Sequence, residues 1–133
     1  MTGLRKTVKA YLDTKHAHVY FNRAPEKADF PYLVFSFAPS FTPDEGREQL
    51  LVDIDGWDKP GDGDSTALEA LMDSVNGDGD LSTPSGLDRQ AIQANDILAV
   101  FRLESRDPLD DPDPQILRRK YTYNTTVYER STS

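Results

Sequence analysis

Two histidines and several aspartate-rich runs are the residues of this chain that could bind a metal ion. His16 and His18 form a His-x-His pair, which would place both rings on one face of a β-strand. A zinc site is built mainly from several His and Cys ligands, and the sequence contains no cysteine and no further histidine. We therefore predict that the two histidines lie at an exposed strand edge and that the chain has no metal site.

The aspartates invite comparison with the calcium-binding EF-hand loop, which requires glycine at its sixth position and glutamate at its twelfth. Loops that begin at Asp53, Asp62 or Asn76 have other residue types at both of these positions. The aspartates are therefore interpreted as charge in solvated loops.

Catalysis requires a convergent set of groups, such as a nucleophile beside a general base. The sequence shows no spacing of this kind. Its loop glycines alternate with aspartates, as in Asp62-Gly63-Asp64, and these carboxylates would repel a bound phosphate. We predict that the protein is not an enzyme, has no catalytic residues and uses no cofactor.

Size and charge limit the remaining classes of function. The chain of 133 residues fits a single domain, residues 1–133, and its 37% hydrophobic content suffices for one core. The formal net charge of −8 at pH 7 repels DNA phosphates and anionic membranes. Because the first residues are basic but lack a continuous apolar run, we expect no signal peptide, no membrane span and a protein that starts in the cytoplasm.

Apolar periodicity predicts two helices. Apolar residues recur on one helical face at Leu4, Val8, Tyr11 and Leu12, and again at Leu68, Leu71, Met72 and Val75. Residues 66–69 fit a capping box at the start of the second helix. The pair Asn76-Gly77 is typical of a helix end.

Segments rich in branched and aromatic residues predict the strands, at residues 16–21, 32–37, 49–55, 97–103 and 120–128. The third of these alternates apolar and polar residues and is expected to pair with the second. Trp57, just after it, is either an aromatic residue of a binding surface or, as the favoured interpretation, a side chain that closes the core. Residues 78–93 are expected to be irregular. The prediction is an α+β fold, with an antiparallel sheet of about four to five strands and two helices packed on one face, in the order α-β-β-β-α-β-β.

Three regions are candidate contact surfaces. Residues 107–114 are rich in Asp and Pro, so they cannot form core and are expected to be solvated and mobile. Residues 118–120 are a basic run, expected either to be solvated or to pair with carboxylates of a neighbouring subunit, and residues 38–47 form a turn or projecting arm. The predicted interaction residues are Phe41, Asp110, Asp111, Asp113, Arg118, Arg119 and Lys120.

Two linked segments carry a resemblance to a known family. The motif Val19-Tyr20-Phe21-Asn22-Arg23-Ala24-Pro25 leads into Phe30-Pro31-Tyr32-Leu33-Val34-Phe35. With the preceding helix and the later strand, helix and closing strands, this ordered set resembles the tail terminator proteins of long-tailed bacteriophages, which join the tail to the head. The resemblance covers most of the chain and is weakest in the Asp-rich loops.

The resemblance implies a structural virion protein. It would form a homohexameric ring that caps the finished tail tube, ends its polymerisation and presents its opposite face to the head-completion protein. Double-stranded DNA would pass through the ring without specific binding, and acidic loops around the channel would leave it free to slide. The protein would be assembled in the host cytoplasm and would stay at the tail-neck junction of the virion.

Two other classes of function are left open by the sequence. An acidic binding protein, such as a DNA mimic that inhibits a nucleic-acid enzyme, needs carboxylates at near-phosphate spacing on a rigid element. The predicted helices carry few acids, of which Glu69 and Asp73 are the clearest. Another component of the neck or tail would share the same composition.

Overall fold

The part of the chain that the structure describes folds into two helices and a six-stranded mixed sheet, an α+β architecture. A computed structural model describes residues 2–39, 47–78, 80, 82–94, 97–109 and 111–129. In chain order the elements are α1 (Thr2–Asp13), β1 (Val19–Phe21), β2 (Tyr32–Pro39), β3 (Arg47–Asp58), α2 (Thr66–Asn76), β4 (Ala91–Ala94), β5 (Ile97–Leu109) and β6 (Leu117–Glu129). Within these residues, neither helix is long and apolar enough to cross a membrane.

The strands form one sheet in the order β1-β2-β3-β6-β5-β4. The pair β1 and β2 is parallel, and all other neighbours are antiparallel. The α+β class is confirmed, whereas the prediction of fewer, purely antiparallel strands is wrong. Asn22, with a φ of 67°, turns the chain at the end of β1, and residues 23–31 return it to the same end of the sheet to begin β2.

The additional strand, β4, lies mostly in the segment predicted to be irregular. It pairs only with the start of β5, with Ala91 opposite Val100 and Ala94 opposite Ile97. Ile92 and Ala94 are only partly buried against the core. Such a short edge strand has little apolar alternation, so the sequence pattern does not predict it.

Both helices cover the same face of the sheet. α1 contacts β1, β4 and β5, which lie towards opposite ends of the sheet, while α2 contacts the central strands β3 and β6. The buried helical residues in the core include Leu4, Val8 and Leu12 of α1 and Leu68, Met72 and Val75 of α2. The alternation predicted for β3 is confirmed, because Leu50, Val52 and Ile54 are all buried.

The ends of α2 correct one prediction and confirm another. The predicted capping box is wrong, because Ser65 is the N-cap residue and makes no side-chain cap hydrogen bond. Instead, the hydroxyl and the backbone N–H of Thr66 donate to the carboxylate of Asp64, at 2.6 and 2.9 Å, and these hydrogen bonds lower the pKa of Asp64. The predicted glycine stop is confirmed, since Gly77 has a φ of 81° and its N–H donates to Asp73 O at 2.8 Å.

Strand β5 continues into the Asp/Pro segment, through residues 107–109, where the sequence predicts a solvated loop. That part of the prediction is wrong. β4 pairs only with the first residues of β5, so among the described residues the far part of β5 is a sheet edge. Pro108 fits there because no neighbouring strand needs its missing N–H on the free side. A β-bulge between Leu103 and Ser105 shifts the register within the same strand.

Candidate interaction surface

The face of the sheet opposite the helices is the candidate interaction surface, and we call it the open face. It carries the residues that alternate with the buried ones, among them Tyr32, Ser36, Asp53, Asp55, Trp57, Leu98, Val100, Arg118, Lys120 and Tyr128. In the part of the chain that the structure describes, no helix or strand packs on this face. Side chains of central strands are therefore left partly exposed.

An aromatic and cationic cluster occupies one end of the open face, because the strand register places Tyr32 opposite Trp57 and Trp57 opposite Arg118. The rings of Tyr32 and Trp57 stack with centroids 5.8 Å apart, and the guanidinium carbon of Arg118 lies 3.8 Å from the centroid of the Trp57 ring. We call Tyr32, Asp55, Trp57 and Arg118 the Trp57 cluster. Trp57 is half-buried on the open face, so the prediction that it closes the core is wrong.

The Trp57 cluster contains buried polar atoms without hydrogen bonds. Among the described residues, Asp55 Oδ1, Trp57 Nε1 and Arg118 Nε are the buried side-chain atoms that lack a partner. Arg118 Nη2 lies 3.9 Å from Asp55 Oδ1, which is close enough for ionic attraction but too far for a hydrogen bond. Buried groups of this kind are normally satisfied by protein or water. Because these three atoms are already shielded from solvent within the chain, a partner would reach them only if the cluster rearranged.

Burial dominates the electrostatics of Asp55. Desolvation raises the pKa of its carboxyl above the ordinary value of 3.8, and the charges of Arg118 and Lys120 oppose this rise without cancelling it. Burial likewise raises the pKa of the Tyr32 hydroxyl. The folded protein therefore holds the proton of Asp55 more tightly than the unfolded chain does.

This shift predicts a pH-dependent effect of Asp55→Asn. In the unfolded chain Asp55 loses its proton near 3.8, and in the folded protein it does so at higher pH. Between the two values the folded state binds more protons, so the wild-type protein loses stability as pH rises through that window. Asparagine does not titrate, so the unfolding free energy of the variant is expected to increase relative to wild type.

Urea denaturation from about pH 4 to about pH 7 measures this difference directly. Asp29→Asn is the matched control, because it removes the same charge from an exposed loop residue. A relative stability of Asp55→Asn that falls as pH rises would contradict the assignment.

The basic run lies at the start of β6 and makes salt bridges within the chain. Arg118 lies 3.9 Å from Asp55, Arg119 3.5 Å from Glu69 and Lys120 3.6 Å from Asp53. The three basic side chains are between 21% and 34% exposed, so the run is not a freely solvated strand start. Its contact with a neighbouring subunit stays a prediction.

The acidic interaction residues lie in the turn between β5 and β6, which we call the acidic tip, residues 111–116. The N–H of Asp113 donates to Asp111 Oδ1, and the N–H of Gln115 donates to Asp113 Oδ1, both at 2.9 Å. Asp113 also lies 3.6 Å from Lys59 in an exposed salt bridge. The predicted residues Phe41 and Asp110 lie outside the described residues.

The other end of the open face is apolar and was not predicted from the sequence. Leu98, Val100 and Tyr128 are large apolar residues that are 36%, 37% and 41% exposed. Beside them lies a groove of about 340 Å³, which we call the arginine groove; Gln49, Arg89, Val100, Phe101, Arg102, Asn124 and Thr126 line it. The signal in the sequence is the run Ile97-Leu98-Ala99-Val100, which is apolar on both of its alternating faces.

His16 and His18 precede β1 and do not lie on a strand as predicted. Their ring centroids are 5.7 Å apart, and His16 Nε2 forms a hydrogen bond with the carbonyl of Pro31 at 2.7 Å. Both residues are half-buried. This hydrogen bond gives His16 a structural role in positioning the start of β2.

Within the described ranges, no group of three or more His, Cys, Asp or Glu residues is placed to hold a metal ion. Comparison of the sequence with protein-family models and with curated proteins finds no match.

Proposed function

We propose that the protein is a ring-forming tail terminator subunit of a long-tailed bacteriophage. Copies of the chain, six by the resemblance, form a ring that caps the tail tube and ends its polymerisation. The ring joins the tail to the head-completion protein and leaves a channel for double-stranded DNA. Its place is the tail-neck junction of the virion.

The open face is the single observation that carries this proposal. A six-stranded sheet has one face filled by helices, while its other face exposes Leu98, Val100 and Tyr128 and carries the half-buried Trp57 cluster. Exposed apolar patches mark interaction surfaces, and Trp, Tyr and Arg are the residues most enriched at the centres of protein interfaces. A neighbouring copy in the ring would cover this face.

The order of the elements supports the same family. The first helix is followed by the Val19-Tyr20-Phe21 strand. Phe30-Pro31-Tyr32 then leads into the β2–β3 hairpin, which is followed by the second helix. It ends with the long strands β5 and β6. This is the order that the resemblance implies, with the short strand β4 added.

The acidic net charge of the chain supports a role in forming a channel through which DNA passes without specific binding. The chain has a net charge of −8, and the ordinary route to DNA affinity is the neutralisation of phosphates by basic residues. An acidic wall repels the duplex and leaves it free to move along the channel.

Electron microscopy of the purified protein mixed with purified tail tubes tests the proposal. We expect rings of the full-length protein, and rings seated at tube ends, with tube length no longer increasing when further tube protein is added. The mass of the ring in solution is expected to be six times the 14.9 kDa mass of the chain. Tubes incubated without the protein are the control.

A protein that stays monomeric and leaves tube ends free would contradict the proposal. If such a monomer also inhibited a nuclease or a polymerase, the DNA-mimic alternative would replace it. Rings that bind the neck but not the tube ends would identify another neck component.

A further inference from the structure

The arginine groove has the chemistry of a site for an acidic, partly apolar segment. Val100 is exposed at its floor, and Leu98 and Tyr128, which pair across β5 and β6, flank it. Arg89 and Arg102 supply two positive charges and are both exposed. Guanidinium groups bind carboxylates through paired hydrogen bonds, which makes arginine the typical residue for such recognition.

The charges of the groove are not neutralised by carboxylates of the described residues. The salt bridges among the described residues involve the basic side chains of Lys9, Lys59, Arg118, Arg119 and Lys120. None of them includes Arg89 or Arg102. In a chain with a net charge of −8, two exposed arginines beside an apolar patch form a locally basic surface. An occupant with negative charge and a small apolar side chain would satisfy both features.

The chain itself carries a segment of this kind, the acidic tip. Asp111 and Asp113 supply carboxylates, and Ile116 supplies a half-buried apolar side chain. Backbone hydrogen bonds to both carboxylates and the adjacent prolines hold the turn in one shape. A pre-shaped segment loses little conformational entropy on binding, and the exposed Lys59–Asp113 salt bridge opposes its release only weakly.

The groove and the tip lie at opposite ends of the same β5–β6 hairpin. Val100 is opposite Thr126 near one end, and Leu109 is opposite Arg118 near the other. Nine residues of extended strand separate Val100 from Leu109, a distance of roughly 30 Å at about 3.3 Å per residue. The tip of one copy therefore cannot reach its own groove, and a contact between them requires two copies.

We propose that the acidic tip of one copy occupies the arginine groove of the next copy. In this arrangement each copy gives its tip to the next copy and receives a tip from the previous one, and such a head-to-tail contact repeated by rotation closes into a ring. The inference rests on the proposed function for the closure of that ring, and it names the interface that closes it. Because the attraction is ionic, association is expected to weaken as salt concentration rises.

A charge exchange between the two surfaces tests the contact. The groove variant carries Arg89→Glu and Arg102→Glu, and the tip variant carries Asp111→Lys and Asp113→Lys. Each variant alone places like charges in contact. Its association constant for self-assembly, measured by sedimentation velocity, is expected to fall at least about tenfold. An equimolar mixture is expected to recover assembly, because the altered groove meets the altered tip and the native groove meets the native tip.

Recovery in the mixture excludes misfolding as the cause of the loss, since a misfolded chain gains nothing from its counterpart. Arg23→Glu with Lys27→Glu is the matched control for the groove variant, because it makes the same charge change at exposed positions outside both surfaces. Its assembly is expected to equal that of wild type. A synthetic peptide of residues 107–116 supplies a second readout. It is expected to bind the wild-type protein and not the groove variant.

The outcomes separate the inference from the proposed function. If wild type forms rings and both variants assemble as well as it does, the groove contact is wrong and the terminator proposal stands. If wild type stays monomeric and ignores tube ends, but binds the peptide through Arg89 and Arg102, the groove is supported and the terminator proposal is wrong. Loss of assembly in both variants without recovery in the mixture would also overturn the groove contact.

Discussion

Replacement of Gly86 by alanine is expected to destabilise the protein by about 3 kcal/mol, as overpacking at a rigid contact does. A Cβ atom at Gly86 would collide with the backbone of Asn76 and Gly77. This approach is fixed by hydrogen bonds from the two residues that follow Gly86, from Leu87 N–H to Val75 O at 2.7 Å and from Asp88 N–H to Asn76 O at 3.0 Å. Backbone atoms cannot rotate away as a flexible side chain can, so the end of α2 must shift.

Gly61→Ala is the matched control, because a Cβ atom there meets nothing within 4 Å. Its unfolding free energy is expected to stay within about 0.5 kcal/mol of wild type. Urea denaturation followed by circular dichroism measures both variants. Equal midpoints for Gly86→Ala and Gly61→Ala would show that the loop after α2 is not tied to the helix end as described.

The second large effect is expected at Tyr123, the largest of the fully buried side chains. Tyr123→Ala removes a ring from the centre of β6 and should cost about 4 kcal/mol, as other aromatic truncations in cores do. The Tyr123 hydroxyl donates to Asn76 Oδ1 at 2.8 Å. Burial raises the pKa of Tyr123, so this hydroxyl keeps its proton and remains a donor at neutral pH.

Tyr123→Phe separates the hydrogen bond from the packing. It keeps the ring but leaves the buried Asn76 carbonyl oxygen without its donor, which is expected to cost about 2 kcal/mol. Thermal unfolding of the two variants separates the contribution of the hydrogen bond to stability from that of the packed ring. A Phe variant as unstable as the Ala variant would mean that the hydrogen bond, and not the ring, holds α2 against β6.

The elements with strong periodicity could be predicted from the sequence. The apolar stripes of α1 and α2 and the alternation of β3 each encode which face is buried, and the structure places those residues in one core. The stop at Gly77 could also be predicted, because a left-handed residue is required there. In each of these cases the information lies within a few neighbouring residues.

The sheet features that were missed depend on distant parts of the chain. The parallel pairing of β1 with β2 depends on the path of residues 22–31, which no periodicity encodes. The predicted capping box does not form, because Asp64, one residue before the N-cap, accepts the hydrogen bond from the N–H of Thr66. The continuation of β5 through Pro108 depends on β4 being too short to cover it.

The candidate surface was predictable only in part. The Asp/Pro segment and the basic run could be singled out by composition, and the structure places the tip and the run at the same end of the β5–β6 hairpin. The Trp57 cluster depends on strand register, which sets Trp57 between Tyr32 and Arg118. The groove depends on Arg89 and Arg102 being brought together by a tertiary contact, since the N–H of Arg89 donates to Phe101 O at 2.9 Å.

The free edge of β5 has a further consequence for solubility at high concentration. Beyond Leu103, it presents Glu104, Arg106 and Pro108, and charged residues and proline on an edge strand block the backbone pairing that leads to amyloid-like stacking. Backbone pairing between copies along this edge is thus disfavoured, which limits β-fibre growth at high concentration. A contact between copies along this edge would have to use side chains in place of backbone pairing.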